Sequence, residues 1–190
     1  MVDTYEVEVK ISIDSFEEME NRILNVGAKK INQEVQIDSY FDHPCRTFQE
    51  TDEALRVRFR RPIGGEELES STDLVELTYK GPKIDRTTKT RIESSVKLNN
   101  AEEITSILES LGFKMVAEIT KTRQFFSLHA ITISIDDVED VGLFLELESI
   151  VKNNDEIDNA RENIFAMVKE LGLDSAQSIR ESYLELYLNR

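Results

Sequence analysis

The chain has 190 residues and a formal net charge of −15, and its only cysteine is Cys45. The length suits one sizeable core, read here as a single domain over 1–190, and the acidity argues against nucleic-acid or anionic-membrane partners, which need a net basic footprint. Cys45 has no second thiol for a disulfide or a metal clip, and no apolar run or basic-then-apolar opening suggests a membrane or export segment, so a cytoplasmic protein is expected.

The first element is Tyr5-Glu6-Val7-Glu8-Val9-Lys10-Ile11-Ser12-Ile13. Strict alternation predicts a strand with Tyr5, Val7, Val9, Ile11 and Ile13 on a dry face and Glu6, Glu8 and Lys10 on the other. Taken alone, it reads as a half-solvated antiparallel strand. Asp14 and Ser15 then offer a helix cap, Glu17 and Glu18 suit the first turn, and Phe16, Met19, Ile23, Leu24 and Val26 keep helical spacing up to Gly27. Lys30 to Phe41, rich in Val, Ile, Tyr and Phe and closed by Pro44, predicts a second strand.

In the next strand Leu55, Val57 and Phe59 alternate with Arg56, Arg58 and Arg60, and Gly64-Gly65 marks a hairpin loop. Val75, Leu77 and Tyr79 then alternate with Glu76, Thr78 and Lys80, while Lys89, Arg91, Glu93 and Ser95 face away from Ile92 and Val96. A helix from Asn99 or Asn100 to Leu111 carries Ile104, Ile107, Leu108 and Leu111 on one stripe, stopped by Gly112. Three strands follow: one around 118–126 with Lys121 and Arg123 on one face, one with Thr132, Ser134 and Asp136 opposite Ile131, Ile133 and Ile135, and one with Phe144, Glu146 and Glu148 opposite Leu143, Leu145 and Leu147. From about Asp155 the tail reads as largely helical, with Ser-Tyr-Leu-Glu-Leu-Tyr-Leu an amphipathic helix packed on the sheet. The strand-helix-strands order occurs twice, which hints at a duplication without a residue-level repeat.

A sheet of this many antiparallel strands curls or closes. If its apolar faces point outward against the helices, the charged faces point into a lumen. Arginine and lysine pair with phosphate oxygens, and carboxylates two apart on a strand hold a hard divalent cation. A polyphosphate with its metal neutralises both clusters at once. His43, His129, Phe125, Phe126, Tyr40 and Phe41 read as structural, and phosphate-loop, dinucleotide and Ser-His-Asp motifs are missing.

The stretch Glu6-Val7-Glu8-Val9-Lys10 resembles the ExExK signature of the CYTH superfamily, the triphosphate tunnel metalloenzymes, and is most like that of the class IV adenylyl cyclases. The resemblance continues in order through Asp38–Asp42, Ala54–Arg58, Leu77–Pro82, Arg91–Glu93, Lys121–Arg123, the Ser-Ile-Asp-Asp-Val segment and Phe144–Glu148. It implies an α+β fold, an eight-stranded antiparallel β-barrel forming a triphosphate tunnel with flanking helices. It further implies Mg²⁺ or Mn²⁺ held by Glu6, Glu8, Glu146 and Glu148 together with Asp136. The triphosphate would be gripped by Lys10, Arg56, Arg58, Lys80, Lys121 and Arg123. Glu6, Glu8 and Lys10 of the signature would serve the catalysis, and Arg91 and Glu93 would either touch the ligand or pair with each other.

The activity so implied is conversion of ATP to cyclic AMP and pyrophosphate. The alternatives are hydrolysis of inorganic or thiamine triphosphate, a non-catalytic polyphosphate-binding module, and a purely structural barrel. No His-Phe dipeptide precedes the first signature, as it does in some bacterial cyclases, and this weakens the cyclase reading alone. The cyclase relatives also suggest a homodimer.

Overall fold

The alternating segments form eight strands in a computed structural model that describes residues 5–64, 74–82 and 91–190. They are β1 (Tyr5–Ser12), β2 (Lys29–Asp42), β3 (Ala54–Pro62), β4 (Leu74–Lys80), β5 (Glu93–Leu98), β6 (Lys114–Leu128), β7 (Ile131–Val138) and β8 (Gly142–Val151). The helices are α1 (Phe16–Asn25), α2 (Ala101–Ser110), α3 (Ile157–Glu170) and α4 (Tyr183–Leu188). Gly65 of the expected hairpin loop and Lys89 lie outside the described residues.

All eight strands join one antiparallel sheet in the order β1-β8-β7-β6-β2-β3-β4-β5. The sheet curls until its outer strands approach, with Tyr5 at the start of β1 bridging Ile92 just before β5. Exchanging β1–β4 with β5–β8 reverses this order onto itself, so the doubled pattern in the sequence has a two-fold counterpart in the topology. The long central strands β2 and β6 carry the junction between the halves, with register shifts between Lys30 and Asn32 and between Tyr40 and Phe41.

The helices form where the sequence caps them. Ser15 accepts from the Glu18 N–H, Asn100 accepts from the Glu103 N–H, and each cap is followed by two acidic residues in the first turn. Gly27 and Gly112, at φ +88° and +90°, take the left-handed conformation just past the ends of α1 and α2, which residues with a Cβ adopt only under strain.

Three apolar clusters fix the sheet. Val7, Val9, Ile11, Ile133, Ile135, Leu145 and Leu147 point outward against Met19 and Ile23 of α1 and Ile164, Met167 and Val168 of α3. Phe41, Leu55, Val57 and Val75 pack on Leu108 of α2. In the third cluster the inward-facing Tyr40, Ile119, Val138 and Phe144 meet Ile179, Tyr183, Leu184 and Leu186 of the C-terminal segment. That segment therefore does more than pack on the outside of the sheet: it carries side chains into the lumen. The tail is largely helical as expected, with the short turn 175–177 and irregular chain connecting α3 to α4. Ile92 and Val96, read as apolar-face residues, are about half exposed at 47% and 51%. Among the described residues no helix is long and apolar enough to cross a membrane.

Candidate active site

Strand register decides which charges meet. Across β1 and β8, Glu8 stands opposite Glu148 and Lys10 opposite Glu146, while Glu6 faces Ile150. Across β2 and β3, Asp38 stands opposite Arg58, Tyr40 opposite Arg56 and Gln36 opposite Arg60. On β6, Lys121 and Arg123 stand opposite Gln36 and Glu34 of β2, and Arg123 also faces Asp136 of β7. Paired residues leave a sheet on the same face, so these rows all point into the lumen.

The lumen holds a cavity of 610 Å³. Glu6, Glu8, Glu146 and Glu148 line it from β1 and β8; Arg56, Arg58 and Arg60 line it from β3, and Lys121 and Arg123 from β6. Lys80, Arg91 and Glu93 complete the lining at β4 and β5, with Lys80 bonded to Glu93 and Arg91 3.7 Å from Asp52. The structure thus brings together most of the residues singled out from the sequence, with acid on one pair of strands and base on another.

Two of those residues are placed differently. Lys10 is fully buried and does not line the cavity: its ammonium donates to the Glu181 carbonyl and lies 4.1 Å from the ring centre of Tyr183 and 5.5 Å from that of Phe144. Asp136 is likewise fully buried. Its carboxylate accepts from Nε and Nη2 of Arg123 and from the Tyr183 hydroxyl, with Lys121 Nζ at 3.5 Å. Such a carboxylate is already committed to orienting Arg123, which speaks against its serving as a metal ligand. Arg123 reaches Glu146 as well, so one arginine ties β6 to the acidic strands.

Other site residues carried no assigned role in the sequence reading. Asp38, only 2% exposed, receives Arg58 Nε and Nη2 at 2.6 Å each, with Arg56 at 3.9 Å. Arg60 bonds Glu76 at 2.6 Å. Alternation along Glu34, Gln36, Asp38 and Tyr40 was the signal for this side of the lumen. Tyr183, in the C-terminal segment, had no such signal.

Electrostatics follow the burial. Burial alone would raise the Asp38 carboxyl, but the Arg58 and Arg56 guanidiniums overcome it and hold the group far below the carboxylate range. For Lys121 burial dominates, and with the Arg123 charge it pulls the ammonium down to about 7. Burial, followed by the charges of Glu6 and Glu8, pushes Glu148 up to about 8. Burial and the nearby Asp136 and Glu146 charges raise the Tyr183 phenol well above its ordinary value, so its hydroxyl keeps its proton and donates.

Each half of the site fits its guest. The Nε atoms of Arg56 and Arg60 are buried without a hydrogen-bond partner, donors that an anion in the cavity would satisfy. Four glutamates on two adjacent strands supply the oxygen ligands a hard divalent cation takes. Among the described residues no three such side chains already converge into a ligand cluster.

Nearly the whole chain and its fold have counterparts among known proteins. A CYTH domain matches residues 4–183. A Methanocaldococcus jannaschii protein named "Putative adenylate cyclase" is 41% identical over 181 residues, covering 95% of this chain and 97% of the relative. The adenylate cyclase CyaB of Aeromonas hydrophila is 28% identical over 150 residues, covering 78% of this chain and 70% of the relative. A solved structure of a Pyrococcus horikoshii protein superposes with a TM-score of 0.86 at 38% identity, covering 97% of this chain and 98% of that one.

Proposed function

The chain belongs to the CYTH family, and from that premise we propose that it is a divalent-metal-dependent enzyme that converts ATP to cyclic AMP and pyrophosphate. The observation that carries the reading is a shared cavity of 610 Å³ with glutamates on β1 and β8 and cationic side chains on β3 and β6. The names of the Methanocaldococcus and Aeromonas relatives support the cyclase within the wider triphosphate class.

In this reading Arg56, Arg58, Lys80, Lys121 and Arg123 hold the phosphate chain, with Arg91 beside them, and take up charge as the pyrophosphate leaves. Asp38 and Asp136 fix the directions of Arg58 and Arg123, so those guanidiniums meet the phosphates without a reorganisation cost. Glu6, Glu8, Glu146 and Glu148 would hold Mg²⁺ or Mn²⁺, which when bound offsets phosphate charge and favours attack at phosphorus. The 3′-hydroxyl oxygen bonds to the α-phosphorus, the bond from that phosphorus to the pyrophosphate oxygen breaks, and the hydroxyl proton passes to a carboxylate of the acidic strands.

Hydrolysis of a triphosphate is the second reading, because the same cavity would serve a water nucleophile. Incubation with ATP, inorganic triphosphate and thiamine triphosphate, each with Mg²⁺ or Mn²⁺, separates the two when products are identified by chromatography. Cyclic AMP and pyrophosphate from ATP, lost in Glu8→Ala, is the expected result. Orthophosphate without cyclic AMP would replace the cyclase with a phosphatase, and no turnover of any of the three would leave a binding module.

A further inference from the structure

Tyr183 opens α4 and belongs to no strand of the sheet, yet it lines the cavity among the lumenal charges. Lys10 Nζ lies 4.1 Å from its ring centre and Lys121 Nζ 4.7 Å. Its hydroxyl donates to Asp136 Oδ2 at 2.7 Å, and Asp136 in turn receives Nε and Nη2 of Arg123. The Phe144 ring packs on it with 5.2 Å between ring centres and 59° between planes. The Ile179 N–H donates to the Lys10 carbonyl at 2.7 Å, which fixes the chain just before α4 against β1.

Two ammonium groups gathered for one anion repel each other and tend to turn toward separate partners. An aromatic face attracts both, and most strongly where water is excluded. Lys121 also has the Asp136 carboxylate at 3.5 Å, whereas the ring serves both lysines without adding a further anion that would compete with the phosphates.

We propose that Tyr183 is a positioning residue of the triphosphate site: its ring holds the Lys10 and Lys121 ammonium groups, and its hydroxyl holds the Asp136 carboxylate that orients Arg123. The inference rests on the triphosphate reading above. It also gives Lys10 of the ExExK signature a place in the site although Lys10 does not line the cavity: its charge is set next to the phosphates through the Tyr183 ring.

The test compares two substitutions of nearly the same shape and opposite ring electrostatics, Tyr183→Phe and Tyr183→pentafluorophenylalanine, both in the full chain. Binding of magnesium pyrophosphate is measured by titration calorimetry at pH 6, where Lys121 as well as Lys10 is mostly charged. Tyr183→Phe keeps the electron-rich face and loses one hydrogen bond, so its affinity is expected within about threefold of the wild type. Tyr183→pentafluorophenylalanine presents a reversed quadrupole to both ammonium groups and is expected to bind roughly tenfold more weakly than Tyr183→Phe. A residue that merely anchors α4 would not distinguish the two variants, so equal affinities would overturn the proposal. Failure of the wild-type protein itself to bind magnesium pyrophosphate would overturn the triphosphate reading instead.

Discussion

Glu8 and Glu148 stand directly opposite one another across the β1–β8 ladder, two like charges where a sheet gains most from opposite ones. Burial and the neighbouring Glu6 and Glu8 charges push Glu148 up to about 8. A carboxyl whose folded value is raised holds its proton after the unfolded chain has lost it. Stability from this group is therefore present below about pH 4.3, the unfolded value, and is lost as pH rises toward 8. A cation between the glutamates removes that penalty. The rise in melting temperature on adding Mg²⁺ is expected to be larger at pH 8 than at pH 6, and to shrink in Glu148→Gln. A shift that is independent of pH would place the cation elsewhere.

Asp38 anchors the basic side. Arg58 meets it through two bonds of 2.6 Å, and both residues are buried. Removing one partner of such a pair leaves the other charge uncompensated, so Asp38→Ala is expected to cost about 3–5 kcal/mol in chemical denaturation. Because the Arg58 and Arg56 charges outweigh burial and depress the Asp38 carboxyl, its contribution is complete above about pH 4, near the unfolded value, and fades as pH falls below that. Wild type and Asp38→Ala should therefore converge in stability toward low pH. A gap that stays constant down to pH 2 would contradict the assignment.

Lys121 makes ligand binding visible as proton uptake. Burial and the Arg123 charge bring its ammonium down to about 7, so at pH 8 the free protein carries it mostly neutral. A phosphate chain in the cavity restores the charge. Magnesium pyrophosphate titrated in two buffers of different ionisation enthalpy should show proton uptake at pH 8 that exceeds that of Lys121→Met, and a much smaller difference between the two proteins at pH 6. Equal uptake in both proteins at pH 8 would remove Lys121 from the site.

The lumenal faces were legible because a period of two needs only near neighbours. Glu6 and Glu8, Arg56 and Arg58, and Glu146 and Glu148 each declare their side within a few residues. What they meet is another matter. Asp38 and Arg58 are twenty residues apart, and only the β2–β3 register makes them partners. Asp136 alternates as a metal ligand would, but its carboxylate is taken by Arg123 from the next strand and by Tyr183, 47 residues further along the chain. Nothing in Ser-Tyr-Leu-Glu-Leu-Tyr-Leu says that its first tyrosine enters a tunnel. The Ser182–Glu185 capping box sets a helix start, and the docking of that helix is decided by Tyr40, Ile119, Val138 and Phe144, apolar residues that face the lumen where the alternation elsewhere puts charge.

Whether acidic and basic strands act together on one metal-bound triphosphate is read most directly from calorimetric binding of inorganic tripolyphosphate with Mg²⁺ and with chelator, in the wild type and in a Glu6→Gln, Glu8→Gln double variant. Binding by the wild type is expected to depend on Mg²⁺ and to fall at least tenfold in the double variant, roughly the effect of one lost charge-assisted contact. Equal affinity with and without Mg²⁺, or a double variant that binds as the wild type does, would contradict that joint action.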